Sequence, residues 1–148
     1  MVIDGQGGGI GSAIIRKIKE SYGEQVEVWA LGTNAVAASQ MLKAGANRGA
    51  AGEHATCHCA RQADIIMGSI SILVANAMMG ELTPAIVEAV GASKAVKLLL
   101  PITQEALIVV NTVREPLPHL VDQLVTQYLK PFVAAQTNDC HTKPEIER

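Results

Sequence analysis

A glycine-rich segment near the start of the chain, residues 5–11, constrains the fold more than any other feature. It follows a short β-prone run, residues 1–4, and leads into a helical pattern in which Ile10, Ile14 and Ile18 recur on one face. A strand that runs through glycines into a helix brings backbone N–H groups and the positive end of the helix dipole to one place. This arrangement favours the binding of a phosphate group at the turn.

Strand and helix patterns alternate along the rest of the chain. Further β-prone runs occupy residues 26–31 and 64–67, and the glycine-rich residues 47–52 have room for a very short strand. Helical patterns begin near Asn34, Glu53 and Thr83, and apolar spacing also predicts a buried helix over residues 69–79. The alternation predicts an α/β fold, a three-layer Rossmann-like domain with a mostly parallel sheet.

Two later β-prone runs, residues 95–102 and 106–112, are joined by only a few residues around Gln104. A link this short cannot hold the crossover that parallel neighbours require. We therefore expect an antiparallel edge hairpin. A last helical pattern precedes Pro131, which ends or kinks it. The prediction is one domain over residues 1–136 and a polar C-terminal tail over residues 137–148.

Composition excludes several classes of partner and suggests a compartment. The chain has 148 residues, of which 49% are apolar, and its 12 basic and 14 acidic residues give a net charge of −2. With aromatic residues at 3%, we expect no nucleic acid. The longest uncharged apolar stretch, residues 65–80, is shorter than the roughly 20 residues of a membrane-spanning helix, so we expect no membrane. No secretory signal is visible and the three cysteines suit free thiols, which predicts a cytoplasmic protein.

The spacing of the glycines is G-x-x-x-G-I-G, carried by Gly5, Gly9 and Gly11. The Gly-Lys-Ser/Thr of a P-loop is missing. The spacing resembles the cofactor loop of short-chain dehydrogenases, and the resemblance is confined to the beginning of the chain. It implies a dinucleotide such as NAD(P). That family's catalytic Tyr-x-x-x-Lys pair is absent, because neither tyrosine is followed by a lysine at the required position.

We predict that a nucleotide or dinucleotide binds at the glycine turn and at the end of the second strand. The candidate residues are Gly5, Gln6, Gly7, Gly8, Gly9, Ile10, Gly11, Ser12, Thr33 and Asn34. A dinucleotide site usually has an acid after the second strand for the ribose, and this chain has Thr33 and Asn34 instead. These two residues either bind a ribose or ribose phosphate, or Asn34 caps a helix. The choice between NAD(P) and another nucleotide stays open.

Four more polar residues each have two interpretations. Asp4 either orders the glycine turn through hydrogen bonds or contacts a ligand or its Mg²⁺. Asn76, Glu81 and Thr83 follow the strand at residues 64–67, beyond which the ligand crevice of an open α/β sheet lies. They either face the glycine loop or act locally, Asn76 as a buried polar group, Glu81 in a solvated turn and Thr83 as a helix cap.

A cluster of histidine and cysteine residues offers a possible zinc site. His54, Cys57 and His58 share one helix face at a spacing that zinc accepts. A closed site needs a fourth ligand, and the remaining pair, Cys140 and His141, lies in the predicted tail. Chance clustering is the simpler interpretation, and we assign no metal ligands.

The whole chain is similar to a small bacterial family of uncharacterised proteins. These proteins begin Val-Ile-Asp-Gly-Gln-Gly-Gly-Gly-Ile-Gly, and the similarity continues through residues 30–34, 63–66 and 80–84. The resemblance supports the fold and implies no reaction.

Two functions are compatible with the sequence. The first is a nucleotide-binding protein, either a sensor or regulatory module or an enzyme of unassigned chemistry. The second is a non-catalytic structural or interaction protein in which the glycine turn only packs a helix onto a strand. No nucleophile with a base and an orienting group is present, so we assign no catalytic residues. A mean hydropathy of +0.23 suggests further buried surface, in a homodimer or larger homo-oligomer formed through the C-terminal helix or the edge hairpin.

Overall fold

A five-stranded parallel sheet organises the part of the chain that the structure, a computed structural model, describes, residues 1–137. The strands are β1 (Val2–Asp4), β2 (Trp29–Gly32), β3 (Arg48–Ala51), β4 (Ile65–Ser69) and β5 (Val96–Leu100). They lie in the order β3-β2-β1-β4-β5, and every neighbouring pair is parallel. The chain winds outward from β1 to β3 and then returns to the other side of β1. This reversal opens a crevice between the carboxyl ends of β1 and β4.

Helices join successive strands. They are α1 (Gly9–Tyr22), α2 (Ala35–Lys43), α3 (Glu53–Ala60) and α4 (Pro84–Ala92). After β5 the chain forms α5 (Leu117–Gln123), a π-helical turn (Leu124–Tyr128) and α6 (Lys130–Thr137). Short 3₁₀ turns occupy Gly23–Gln25 and Ile70–Leu73.

Alternate residues of the strands contribute to two separate apolar cores. Val2 packs with residues of α1, α2 and the C-terminal helices, whereas its neighbour Ile3 packs with residues of α3 and α4. Met67 and Ile66 divide in the same way. Successive side chains of a strand point to opposite faces, so the sheet lies between two helical layers. The predicted α/β fold with parallel strands is confirmed.

The predicted antiparallel hairpin is wrong, because the sheet is parallel throughout. β5 runs parallel to β4, with Ile65 opposite Val96 and Ser69 opposite Leu100, and α4 provides the crossover. Residues 106–112 form no strand. Pro101 directly follows β5, and Asn111 has a φ of 66°, so the chain leaves the sheet instead of folding back along it.

The helix predicted over residues 69–79 is also wrong. β4 continues to Ser69, and after the 3₁₀ turn the backbone has positive φ at Asn76, Met78 and Met79. A right-handed helix cannot contain such residues. Ile72 and Ala77 are fully buried, so the apolar spacing belongs to a loop packed on the sheet.

Two helix starts are confirmed by their caps. Asn34 Oδ1 accepts a hydrogen bond from the Ala37 N–H at 2.8 Å, and Thr83 Oγ1 accepts one from the Ile86 N–H at 3.3 Å. The proposed tail, apart from Thr137, lies outside the described residues. Within residues 1–137, no helix combines the length and apolar character needed to cross a membrane.

Gly11 sets the approach of α1 to β1 and α2. A Cβ at this position would lie 2.9 Å from Asp4 Cβ and would overlap Met41 Sδ. Gly11→Ala is therefore expected to lower the free energy of unfolding by about 1–3 kcal/mol, measured by urea denaturation. Gly9→Ala is the control, because a Cβ at Gly9 meets nothing within 4 Å. Equal losses in the two variants would contradict the close packing.

Candidate functional site

The glycine turn connects the end of β1 to the start of α1. The Gly8 N–H donates to the Gly5 carbonyl at 2.9 Å, and the Ser12 N–H donates to the Gly8 carbonyl at 2.9 Å. Gly8 has a φ of 69°, and a Cβ there would lie 2.8 Å from the Ala37 carbonyl oxygen, so this position requires glycine. Gly7 and Gly9 are exposed, and no described residue accepts a hydrogen bond from either N–H.

Asp4 ties the two ends of the turn together. Its Oδ1 accepts from the Gly5 N–H at 2.8 Å and its Oδ2 accepts from the Gly11 N–H at 2.7 Å. The residue is only 5% exposed. Burial raises the pKa of Asp4 above the usual 3.8, although hydrogen bonds from Gly11, Gly5 and Ile10 oppose the rise. The expected hydrogen bonds between Asp4 and the turn are confirmed, and contact of Asp4 with a ligand or its Mg²⁺ stays a prediction.

Glu81 reaches from the loop after β4 to the turn and to the end of β2. Its Oε2 accepts hydrogen bonds from the Gln6 N–H at 2.8 Å, from Asn34 Nδ2 at 2.9 Å and from Thr33 Oγ1. Burial raises the pKa of Glu81, but the hydrogen bonds from Thr33, Gln6 and Asn34 outweigh it and hold the pKa below the usual 4.5. Glu81 therefore lies in a turn, as expected, but it is half-buried and its carboxylate faces the glycine turn.

A cavity of about 160 Å³ lies between the glycine turn and the loops that follow β4 and β5. It is lined by Asp4, the turn residues Gly5, Gln6, Gly7, Gly8, Gly9 and Ile10, and, across the crevice, Ser69, Ser71, Met78, Ile102, Thr103, Gln104 and Glu105. This volume is smaller than the roughly 300–1,000 Å³ of pockets that enclose a drug-sized ligand. The cavity suits one end of such a ligand.

Residues near Ser69 are predicted from the sequence to bind the far end of the ligand, and Ser69 does line the far wall, but the sequence did not predict Thr103 and Glu105 there. Ser71 Oγ donates to Thr103 Oγ1 at 2.9 Å, and Thr103 Oγ1 also accepts from the Glu105 N–H at 3.0 Å. Glu105 Oε1 in turn accepts from the Met78 N–H at 3.0 Å. A hairpin would have turned residues 103–105 away, whereas a parallel β5 brings whatever follows it to the carboxyl edge.

The structure divides the ten candidate residues into three groups. Gly5, Gln6, Gly7, Gly8, Gly9 and Ile10 line the cavity. Gly11 and Ser12 are buried in the first turns of α1, and Ser12 Oγ has no hydrogen-bond partner among the described residues. Thr33 and Asn34 are both bound to Glu81, and Asn34 is a helix cap as well. Asn76 is exposed, not buried, and lies outside the cavity lining.

Comparison with protein families assigns the chain by sequence. A model described as a domain of unknown function, DUF3842, matches residues 1–133. The chain belongs to this family. The match confirms the expected resemblance to an uncharacterised family, and the likeness to short-chain dehydrogenases stays a prediction. No curated protein and no solved structure matches the chain.

The histidine and cysteine cluster of α3 is not arranged as a metal site. The rings of His54 and His58 stack with centroids 6.3 Å apart, and His58 Nε2 contacts Gln62 Nε2 at 2.8 Å. Over residues 1–137 no group of three or more histidine, cysteine or acidic side chains is placed to hold a metal ion. Cys140 and His141 lie beyond the described residues.

Replacing the Asp4 carboxylate tests its role in ordering the turn. In Asp4→Asn an amide –NH₂ must face one of the two N–H donors, so one buried hydrogen bond is lost. The expected loss in free energy of unfolding is about 1–3 kcal/mol. Glu88→Gln, at an exposed position on α4, is the control and should change the value by less than about 0.5 kcal/mol. A neutral effect of Asp4→Asn would show that the turn holds its shape without the carboxylate.

Proposed function

We propose that this chain is a Rossmann-like protein that binds the phosphate of a nucleotide or dinucleotide at the glycine turn. The observation that carries the proposal is the pair of exposed N–H groups at Gly7 and Gly9, which have no acceptor among the described residues. They lie at the N-terminus of α1, a helix of 14 residues. Backbone donors and the helix dipole together favour an anion at such a position.

The position of the turn in the sheet supports the same proposal. The order β3-β2-β1-β4-β5 is the order of the first five strands in a Rossmann fold. Ligands of open α/β sheets bind outside the carboxyl ends of the strands, where the winding reverses. Here the reversal falls between β1 and β4, beside the turn.

The size and lining of the cavity indicate which part of the ligand it takes. At about 160 Å³ it has room for a phosphate and the adjoining atoms, so the rest of a nucleotide would extend along the surface. The hydroxyl groups of Ser69 and Thr103 lie in the opposite wall and can donate to phosphate oxygens, whereas Ser71 already donates to Thr103. The proposal is therefore one of binding, in a sensor or regulatory module or in an enzyme of unassigned chemistry.

A charge placed at Gly9 tests the phosphate position. A Cβ at Gly9 meets nothing within 4 Å, and an acidic residue in the first turn of a helix is compatible with the dipole, so Gly9→Asp should fold. We expect the wild type to gain about 5 °C or more in melting temperature with one of NAD(H), NADP(H), FAD, ATP, GTP or coenzyme A at a hundredfold excess over Kd. The screen is run with and without Mg²⁺.

Gly9→Asp should lose this stabilisation, because its carboxylate repels the phosphate. Gly9→Asn has almost the same shape without the charge and should keep most of the stabilisation. Full binding by Gly9→Asp would place the phosphate elsewhere. No stabilisation of the wild type by any of these compounds would contradict the proposed function.

A second candidate function, self-association, rests on a different surface. In the segment after β5, Ile108, Val110 and Val113 are 89%, 86% and 76% exposed. The same segment lines a groove of about 680 Å³ together with Pro101 at the end of β5. β5 is the last strand of the sheet, so its outer edge is unpaired within residues 1–137.

We propose that a second copy of the chain covers this edge. A twofold axis beside β5 would pair the β5 strands of the two copies and bring their apolar segments together. Such a symmetric contact limits the assembly to a dimer. Exposed strand edges and contiguous apolar patches are both surfaces that proteins cover.

The predicted assembly is a dimer that a charge in the segment disrupts. Light scattering after size exclusion should give twice the chain mass for the wild type and the monomer mass for Val110→Asp. Val36→Asp is the matched control, because Val36 is 61% exposed on α2, away from this surface. A monomeric wild type at tens of micromolar would overturn the proposal.

A further inference from the structure

The carboxylate of Glu81 lies where β1 and β2 both end. It is bound to Thr33 and Asn34, which directly follow β2, and to Gln6 of the glycine turn. These partners hold Oε2, and no described residue donates a hydrogen bond to Oε1. One oxygen is therefore anchored while the other keeps its full capacity as an acceptor.

The place of this carboxylate matches a requirement of dinucleotide-binding folds. In these folds an acid at the end of β2 accepts a hydrogen bond from the ribose 2′-hydroxyl. The chain has Gly32, Thr33 and Asn34 at that point, and none is acidic. Glu81, in the loop after β4, places its carboxylate beside Thr33 and Asn34 at the end of β2, although it is distant from them in the sequence.

We propose that Glu81 is the ribose-binding acid of this chain and makes it selective for nucleotides with a free 2′-hydroxyl. The inference rests on the proposed nucleotide site at the glycine turn. With the phosphate on Gly7 and Gly9, Oε1 of Glu81 accepts the hydrogen bond from the 2′-hydroxyl. A 2′-deoxy ligand leaves this oxygen unpaired, and a 2′-phosphate meets a like charge.

The charges around the site favour the free hydroxyl over a 2′-phosphate. Folds that accept a 2′-phosphate place an arginine near it. The groups bound to the Glu81 carboxylate, at Gln6, Thr33 and Asn34, are all uncharged. The neighbouring cavity is lined by two acids, Asp4 and Glu105, and by neither lysine nor arginine. The pKa of Glu81 lies below its usual value, so the carboxylate is ionised at neutral pH and adds to the repulsion.

Gly5 explains how the carboxylate reaches this position. A Cβ on Gly5 would lie 2.6 Å from Thr33 Oγ1, 2.7 Å from Met78 Sδ and 2.8 Å from Glu81 Oε2. Only glycine leaves room for all three groups above the end of β1. The bond from the Met78 N–H to Glu105 holds the same loop from its other side, so Glu81 is positioned before any ligand arrives.

Binding of ligand pairs that differ only at the 2′ position tests the inference. The pairs are ADP with 2′-deoxy-ADP and NAD⁺ with NADP⁺, each titrated calorimetrically into the wild-type chain. We expect the free 2′-hydroxyl to bind about tenfold or more tightly in each pair that binds, the effect of one hydrogen bond to a charged group. In Glu81→Gln both ratios should fall toward one, because the amide has no charge to repel the phosphate and accepts the hydroxyl more weakly.

Glu88→Gln is the control, because Glu88 is an exposed acid on α4, and it should keep the wild-type ratios. A purely structural role of Glu81 would weaken both members of a pair equally and leave the ratios unchanged. Equal affinity of the wild type for 2′-hydroxyl and 2′-deoxy ligands would overturn the inference and leave the nucleotide site standing. Failure of every nucleotide to bind would overturn the nucleotide site and the inference together.

Discussion

The hydrogen bonds that Asp4 accepts from Gly5 and Gly11 determine the geometry at the carboxyl end of the sheet. One buried carboxylate spans the whole turn, from the residue after β1 to the first turn of α1. A hydrogen bond to a charged group contributes about 1.5–3 kcal/mol, which offsets part of the cost of burying the charge. Between the two ends, the Gln6 N–H binds Glu81 and the Gly8 N–H binds the Gly5 carbonyl, whereas the N–H groups of Gly7 and Gly9 have no acceptor among the described residues.

Glycines of the turn allow α2 and the loop after β4 to pack closely against it. Gly11 admits Met41 of α2, Gly8 admits the backbone at Ala37, and Gly5 admits Glu81 from the loop after β4. Three elements that are distant in sequence therefore converge on one turn. Exposed Gly7 and Gly9 meet nothing, which leaves the outer side of the turn accessible. The turn thus combines dense packing on one side with free backbone donors on the other.

The features that the sequence predicted depend on local physics. The strand-glycine-helix start, the caps at Asn34 and Thr83 and the short β3 follow from residues within a few positions of one another. The direction of β5 does not, because it is set by pairing with β4. The predicted hairpin placed Thr103 and Glu105 away from the crevice, so the part of the cavity wall that follows β5 was not predicted.

Glu81 was harder to assign for a related reason. Its sequence neighbours, Gly80 and Leu82, suggest only a turn, and its partners are 47, 48 and 75 residues away along the chain. Positive φ at Met78 and Met79 shapes the loop that carries Glu81, and neither residue type signals such a conformation. The strand order, once known, indicates that the loop after β4 lies beside β1. The strand order alone does not show that the side chain of Glu81 extends far enough to place its carboxylate at the end of β2.

The acids around the turn limit which ligand fits the proposed function. Asp4, Glu81 and Glu105 are each held by donors of the chain, through Gly5 and Gly11, through Gln6, Thr33 and Asn34, and through Met78 respectively. These N–H and side-chain donors are already bound to the three acids. A phosphate could reach the donors of Gln6, Thr33 and Asn34 only by displacing Glu81. In the proposed function, an anion therefore binds the backbone donors at Gly7 and Gly9, and a neutral hydroxyl group of the same ligand binds Glu81. A ligand that carries a phosphate next to a sugar satisfies both requirements at once, whereas inorganic phosphate satisfies only the first.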